Sequence, residues 1–226
     1  MRAELLTELL KAQSEKRAVA SATRLSDGLQ KLIYPSDKSE EKWFAEATHE
    51  VLASDRSRVV TAPDGAEWFF NAFNPPLRLL VVGAVHIAQP VAAMGTLAGY
   101  DVTIIDPREA FASPARFPNT TVRCEWPDEA MTALAPDART AVVTLTHDPK
   151  LDDPALVVAL NSPAFYIGAL GSKKTHASRI ERLTAKGFDA QTLSRIHGPI
   201  GLSIGAKSPA EIAVSIMAQM TAVLRQ

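Results

Sequence analysis

From Leu77 onward the chain alternates between unbroken apolar runs and longer stretches in which apolar and polar positions mix at helical spacing. LRLLVVGA, DVTIID, TAVVTLTH and AFYIGAL are the apolar runs. Runs of this kind, separated by helix-length segments, predict parallel strands buried on both faces and joined by helical crossovers. The predicted fold class is α/β, a Rossmann-like, mostly parallel sheet with helices on both faces. Its last helix opens at SPAE. There Ser208 is the expected N-cap, Pro209 the first helical residue and Glu211 the return half of a capping box, ahead of an apolar face of Ile212, Ile216 and Met220.

The residues before Asn74 follow another rhythm. Leu5, Leu6, Leu9 and Leu10 recur at helical spacing and predict an amphipathic helix. RAVASATRL and LQKLIYP flank SDG, and RSRVVTA and AEWFFNAF flank PDG. Asp before Gly tolerates the positive φ of tight turns, so each pair predicts a β-hairpin. Between the hairpins, SEEKWFAEATHEVLA reads as a helix with Ser39 as N-cap and Trp43, Phe44, Ala47 and Val51 on one face. Asn74, Pro75 and Pro76 interrupt both helix and central strand. The expected organisation is therefore a small α+β domain over residues 1–75 and a Rossmann-like domain over residues 76–226.

Composition narrows the function classes. With 46% hydrophobic and 22% charged residues in 226, the chain has the profile of a soluble globular protein. Lys and Arg number 24 against 25 for Asp and Glu, so no overall positive field draws it to nucleic acid or to an anionic membrane. The single Cys124 rules out an internal disulfide and a cysteine-pair zinc site; it is expected to be a buried packing thiol in a reducing compartment. MRAELLTELLKAQSEKR lacks the apolar core of a signal peptide, and no run approaches the ~20 apolar residues that cross a bilayer. The expected location is cytoplasmic, neither exported nor embedded.

In an open α/β sheet ligands bind at the carboxyl ends of the strands, so the residues after each apolar run are the candidates for chemistry. After the first come Gly83, Ala84, Val85, His86, Ile87 and Ala88. Gly83 and Ala88 fit the dinucleotide fingerprint GxGxxG/A, but Val85 stands at its second glycine, where a β-branched side chain fills the space a pyrophosphate needs. Val85 thus argues against NAD. Asp106 ends the second run at about the ~20-residue distance from Gly83 at which an acidic group meets a ribose hydroxyl, with Arg108 beside it. Asp106 has an equal reading as the carboxylate that closes a turn before Pro107. His86 reads more readily as a packed structural group than as a catalyst.

THDPKLDDP places His147 and Asp148 at the mouth of the sheet, with Asp152 the expected cap of the next helix. The pair reads as a polar loop or, if a third group orients it, as an acid and base. In GALGSKKTHASR, Gly168 and Gly171 free the backbone, Ser172 caps, and Lys173, Lys174 and Arg179 cluster near the first helical turns. Lysines at a helix N-terminus oppose the macrodipole unless a phosphate or carboxylate sits there, so this is the best anion site of the sequence; the alternative is a solvated basic face. GPIGLSIGAKSP has no lysine and Ser/Thr pair at triphosphate-loop spacing and reads as a close-packed connection. No cluster of metal ligands is expected.

Together, GAVHIAQP, the strand ending in DPR, YIGALGSKKTHASRIERL and RIHGPIGLSIGAKSPAEIAVSIMAQM resemble, in order, the C-terminal Rossmann domain of the XdhC/CoxI family, over roughly Leu77 to Arg225. Members of that family are accessory proteins for molybdenum hydroxylases such as xanthine dehydrogenase and carbon monoxide dehydrogenase. The resemblance implies a maturation factor rather than a catalyst, one that binds the molybdenum cofactor, as molybdopterin or its dinucleotide form, and delivers it to a molybdenum hydroxylase apoenzyme. It places cofactor binding at Gly83, Val85, His86, Asp106, Arg108, His147, Gly168, Gly171, Ser172, Lys173 and Lys174. Cofactor sulfuration or biosynthesis proteins are further expected partners, and a homodimer is compatible. Two departures stand out. The family commonly has GAGHV where this chain has Gly83, Ala84, Val85, His86 and Ile87, and the short N-terminal domain lacks the family's glycine-rich segment containing SGGC. An NAD(P)-dependent oxidoreductase is one alternative reading, and a protein that serves a dehydrogenase purely as a structural partner is the other.

Overall fold

The structure is a computed structural model and describes residues 2–37 and 41–225. The chain forms two compact units, residues 1–75 and 76–226.

In the first unit, α1 (Ala3–Ser14) precedes the hairpin of β1 (Val19–Arg24) and β2 (Gln30–Ile33). Helix α2 (Lys42–Ser54) then leads to a second hairpin of β3 (Arg58–Thr61) and β4 (Glu67–Phe73). The four strands make an antiparallel sheet in the order β2-β1-β4-β3. Both Asp-Gly turns form as the sequence predicts. Gly28 and Gly65 take positive φ, and the preceding acids, Asp27 and Asp64, accept the N–H groups of Leu29 and Ala66 at 3.0 and 2.9 Å. Helix α2 lays Phe44, Ala47 and Val51 on the sheet, where the Phe44 ring meets Trp68 edge-on at 5.4 Å and Phe70 at 5.1 Å. Ser39, the predicted cap of α2, lies outside the described residues; Glu41 occupies the N-cap position. The leucine stripe of α1 is only partly covered. Leu9 and Ala12 pack on Val19, whereas Leu6 and Leu10 remain exposed, because that apolar cluster is narrow.

In the second unit, β5 (Arg78–Val82), α3 (Ala88–Leu97), β6 (Asp101–Ile105), β7 (Thr121–Arg123) and α4 (Pro127–Leu134) are followed by β8 (Thr140–Thr144) and α5 (Pro149–Leu160). Then come β9 (Tyr166–Ala169), α6 (Lys173–Ala185), the short α7 (Ala190–Leu193), β10 (Ile196–His197) and α8 (Pro209–Leu224). All neighbouring strands are parallel, in the order β10-β9-β8-β5-β6-β7. The chain starts in the middle, winds outward to β7, and returns to build β8, β9 and β10 on the other side. This is the doubly wound Rossmann order, whose direction reverses between β5 and β8.

The apolar runs are buried on both faces, as parallel strands must be. Leu79 and Val81 point to a core shared with Val91 and Ala92 of α3 and Ile216 and Met220 of α8. Leu80 and Val82 point to the other face, against Met131 of α4 and Leu156 and Leu160 of α5. Helix α8 carries the predicted capping box: Glu211 N–H donates to Ser208 Oγ at 3.3 Å, and the Glu211 carboxylate accepts the Ser208 N–H at 2.9 Å. Cys124 departs from expectation. It follows the edge strand β7, is exposed, and its thiol lies 3.5 Å from the Pro107 carbonyl. Among the described residues no helix is long and apolar enough to cross a membrane.

Candidate functional site

The reversal point between β5 and β8 is where a doubly wound sheet opens a crevice for ligand. Here the two strand ends touch. Gly83 ends β5 at φ +104°, and a Cβ on it would lie 2.4 Å from Thr146 Cγ2 in the segment after β8. Glycine is therefore required twice, by backbone angle and by the approach of Thr146. Val85 follows in a conformation with ordinary negative φ, half-buried against the same core as Ile87, and His86 is exposed just before α3.

The turn is held from three sides. Asp106, wholly buried at the end of β6, accepts the Ala84 N–H on Oδ2 at 2.8 Å and the Arg108 N–H on Oδ1 at 3.0 Å. The Arg108 guanidinium grips the same carboxylate with Nε on Oδ1 at 2.8 Å and Nη2 on Oδ2 at 2.7 Å. Arg116 donates from Nη1 to the Ala84 carbonyl at 2.9 Å and to that of Phe111 at 2.7 Å, so the Ala84 residue is fixed through both its N–H and its C=O. Burial alone would raise the Asp106 pKa, but the Arg108 guanidinium and the two N–H groups outweigh it and hold the carboxyl below its ordinary range. Of the two sequence readings of Asp106, the geometry displays turn closure: each oxygen already takes two donors. Arg108 is half-exposed and lies 4.3 Å over the Phe111 ring.

Thr146 leads from this turn to the α5 side. The predicted cap of α5, Asp152, is not its cap: Asp148 is, accepting the Lys150 N–H at 2.9 Å, because Pro149 takes the first helical position. Asp152 sits buried one turn in and reaches back. Its Oδ1 accepts the Thr146 hydroxyl at 2.6 Å and the Thr146 N–H at 3.3 Å, and its Oδ2 accepts the His147 N–H at 3.1 Å. These bonds hold His147 at φ +64°, a left-handed conformation that a non-glycine residue rarely adopts. Burial pushes the Asp152 pKa up, against the Thr146 hydroxyl and Arg179, which draw it down.

A cavity of about 250 Å³ opens between the N-terminal parts of α5 and α6, one strand along from the reversal point. His147 and Asp152 line it from one side, and Lys174, Thr175, Ser178, Arg179 and Arg182 from the other. Ser172 caps α6 as predicted, accepting the Thr175 N–H at 3.1 Å. Of the two adjacent lysines, Lys174 lines the cavity and Lys173 does not. Gly171 precedes the cap at φ +145°, against Thr175. Gly168 lies apart, inside β9, where the space of its absent side chain is filled by Ile200.

Arg179 is the least satisfied group of this wall. It is 1% exposed, and its Nη2 donates to the Leu170 carbonyl at 2.8 Å. Its Nε and Nη1 are buried without a hydrogen-bond partner among the described residues, and Asp152 Oδ2 stays 3.8 Å from Nη2. Leaving a buried donor unpaired costs about 1–3 kcal/mol, and more for a charged one. Burial lowers the Arg179 pKa, while Asp152 and Asp153 work the other way. Asp153 itself is taken by Arg182, whose Nε and Nη2 meet its two oxygens at 2.6 and 3.0 Å.

The structure thus gathers Gly83, Asp106 and Arg108 at the adjoining ends of β5 and β6, and His147 and Lys174 on the neighbouring cavity, with Gly171 and Ser172 in the turn that leads into α6. Sequence reasoning missed Thr146, which links the two, and Arg116, whose long separation in sequence from Ala84 left no local signal. Among the described residues no group of three His, Cys, Asp or Glu side chains could hold a metal ion.

The XdhC Rossmann domain matches residues 79–220, a span that includes both the turn and the cavity. Over 155 residues the chain is 30% identical to the molybdenum cofactor insertion chaperone PaoD of Escherichia coli (strain K12), covering 69% of this chain and 42% of that one. Over 153 residues it is 29% identical to a probable xanthine dehydrogenase subunit from Bacillus subtilis (strain 168), covering 67% and 44%. The chain spans less than half the length of these two relatives. A crystal structure of a xanthine dehydrogenase from Bacillus halodurans is similar in fold, with a TM-score of 0.72 at 21% identity over 98% of this chain and 67% of that one. Since one family's domain matches most of the second unit, strand ends included, the chain belongs to the XdhC family.

Proposed function

We propose that this chain binds the molybdenum cofactor, as molybdopterin or its dinucleotide, and assists its insertion into a molybdenum hydroxylase of the xanthine dehydrogenase type. The observation that carries the reading is membership of the XdhC family together with similarity to a relative named as a molybdenum cofactor insertion chaperone. The chemistry of the site fits such a ligand. A pterin cofactor ends in a phosphate or pyrophosphate, and the α5–α6 cavity has Lys174 at its rim and in its wall a guanidinium with two nitrogens, Nε and Nη1, that have no acceptor among the described residues. Lys174 and the start of α6 would hold the charged end, and the turn before α3, at His86, lies along the same edge of the sheet. When bound, the cofactor would bring the redox-active molybdenum; this chain's part is to hold it and shield it until transfer.

The Asp106 geometry favours this reading over a nicotinamide-dependent oxidoreductase. A ribose diol at the end of β6 would have to displace donors already on both carboxylate oxygens. The partner is then a molybdenum hydroxylase apoenzyme, with cofactor sulfuration or biosynthesis proteins upstream, and the exchange takes place in the cytoplasm. The test is transfer. Chain isolated from cells making molybdenum cofactor is incubated with cofactor-free xanthine dehydrogenase; the proposal expects hydroxylase activity to appear in proportion to the chain added. No activity above that given by an equal amount of the cofactor-free chain would contradict it.

A further inference from the structure

We infer that the cavity between α5 and α6 is an oxyanion subsite in which Arg179, with Lys174 at the rim, takes a phosphate group. The inference deepens the proposed function, and rests on it only in assigning that phosphate to a larger ligand.

Three observations converge on the cavity. First, its wall contains a buried cation that is only partly satisfied: Nη2 of Arg179 donates to the Leu170 carbonyl, while Nε and Nη1 have no acceptor among the described residues. Secondly, neither neighbouring carboxylate is free to turn to it. Asp152 is committed to the Thr146 hydroxyl at 2.6 Å and the His147 N–H at 3.1 Å, and Asp153 to the fork of Arg182 at 2.6 and 3.0 Å. Thirdly, the remaining lining suits an anion. Lys174 adds positive charge, Thr175 and Ser178 bring hydroxyl groups, and the volume of about 250 Å³ accommodates a tetrahedral oxyanion with room for what it is attached to. With Arg182 and Asp153 paired, Lys174 and Arg179 face only Asp152, so the cavity keeps an excess of positive charge. Nε and Nη1 lie on different edges of the planar guanidinium, and Nη2 between them is taken by the Leu170 carbonyl, so the unpaired donors offer an oxyanion single charge-assisted hydrogen bonds rather than a fork.

The chemistry is that of a phosphate, whether as the free ion or as the monoester end of a larger molecule. The experiment uses the full chain and inorganic phosphate, titrated calorimetrically at constant ionic strength against chloride. The wild type is expected to bind phosphate saturably. Arg179→Lys, which keeps the charge and loses the unpaired Nε and Nη1 donors, should weaken binding more than tenfold, consistent with loss of charge-assisted hydrogen bonds. Lys174→Gln, an exposed change with no bearing on folding, should weaken it about two- to fivefold, and Lys173→Gln should leave it unchanged. AMP, a phosphate monoester, is then competed against inorganic phosphate: displacement assigns the subsite to a monoester end, and its absence assigns it to the free ion.

Phosphate heats no larger than those of chloride would overturn the inference. So would equal losses on replacing Lys173 and Lys174, since the effect would then be that of a diffuse basic surface. The outcome separates from that of the proposed function: pterin retained by a chain that ignores phosphate refutes only the subsite, and phosphate bound by a chain that retains no pterin refutes only the cofactor.

Discussion

Asp106 Oδ2 accepts the Ala84 N–H at 2.8 Å, so the carboxylate that ends the second strand of the Rossmann sheet closes the turn that ends the first. Arg108 clamps the same carboxylate, and the whole arrangement is buried at Asp106. Replacing Asp106 by Asn removes the charge from these bonds and should destabilise the protein by about 2 kcal/mol at neutral pH. The loss has a predictable pH dependence. The folded pKa of Asp106 lies below the ordinary value, so its stabilisation is complete above the unfolded pKa, about 3.9, and fades as pH falls toward the folded value. Urea denaturation of both proteins should show a gap that is constant from pH 7 to pH 5 and narrows below about pH 4. A gap that persists undiminished into the acid range would show that the carboxylate gains nothing from its partners.

The contact of Gly83 with Thr146 gives a second test. Gly83→Ala forces a side chain into left-handed backbone and 2.4 Å from Thr146 Cγ2, which should destabilise by about 2–4 kcal/mol. Thr146→Ser deletes that methyl and keeps the hydroxyl that Asp152 accepts at 2.6 Å. In a double-mutant cycle the serine should return part of the loss in the alanine background, and the two changes should couple favourably. Additive effects would place the strain in the backbone angle alone.

Val85 concerns nucleotide discrimination. Its φ is ordinary, so Val85→Gly relieves no strain; it opens space at the start of α3 and removes a half-buried side chain from the core. Stability should fall by about 1–2 kcal/mol, and NAD, expected to bind the wild type weakly or not at all, should bind the variant more tightly. Fluorescence titration with NADH and denaturant midpoints measure both quantities. Tight NADH binding by the wild type would contradict the reading.

Strands β5, β6, β8 and β9, their parallel direction and the caps at Ser172 and Ser208 were legible because each depends on near neighbours: unbroken apolar runs, Pro after a capping residue, Glu at the third helical position; the short β7 and β10 carry no such run. Asp152 was misread for a local reason too. Two acids follow THDP, and only the position of Pro149 decides that Asp148 caps, leaving Asp152 to reach back to Thr146 and His147. The exposure of Cys124 follows from β7 being an edge strand, a property of sheet order that no single segment carries. Asp106 stayed open between two roles, since the choice rests on Ala84 and Arg108 closing on it in three dimensions. The cluster of Lys173, Lys174 and Arg179 was visible as charge. That Arg179 is buried with Nε and Nη1 unpaired among the described residues, and that Lys173 stays off the cavity, depends on how α6 is rotated against α5.

The central claim is that this chain holds a molybdenum pterin. Its most direct measurement is to purify the chain from a host that makes molybdenum cofactor, denature it, and identify released pterin by fluorescence and mass spectrometry. The expected result is a molybdopterin species approaching one per chain, absent from chain made in a host that cannot synthesise the cofactor. A folded chain that releases no pterin from the competent host would contradict it.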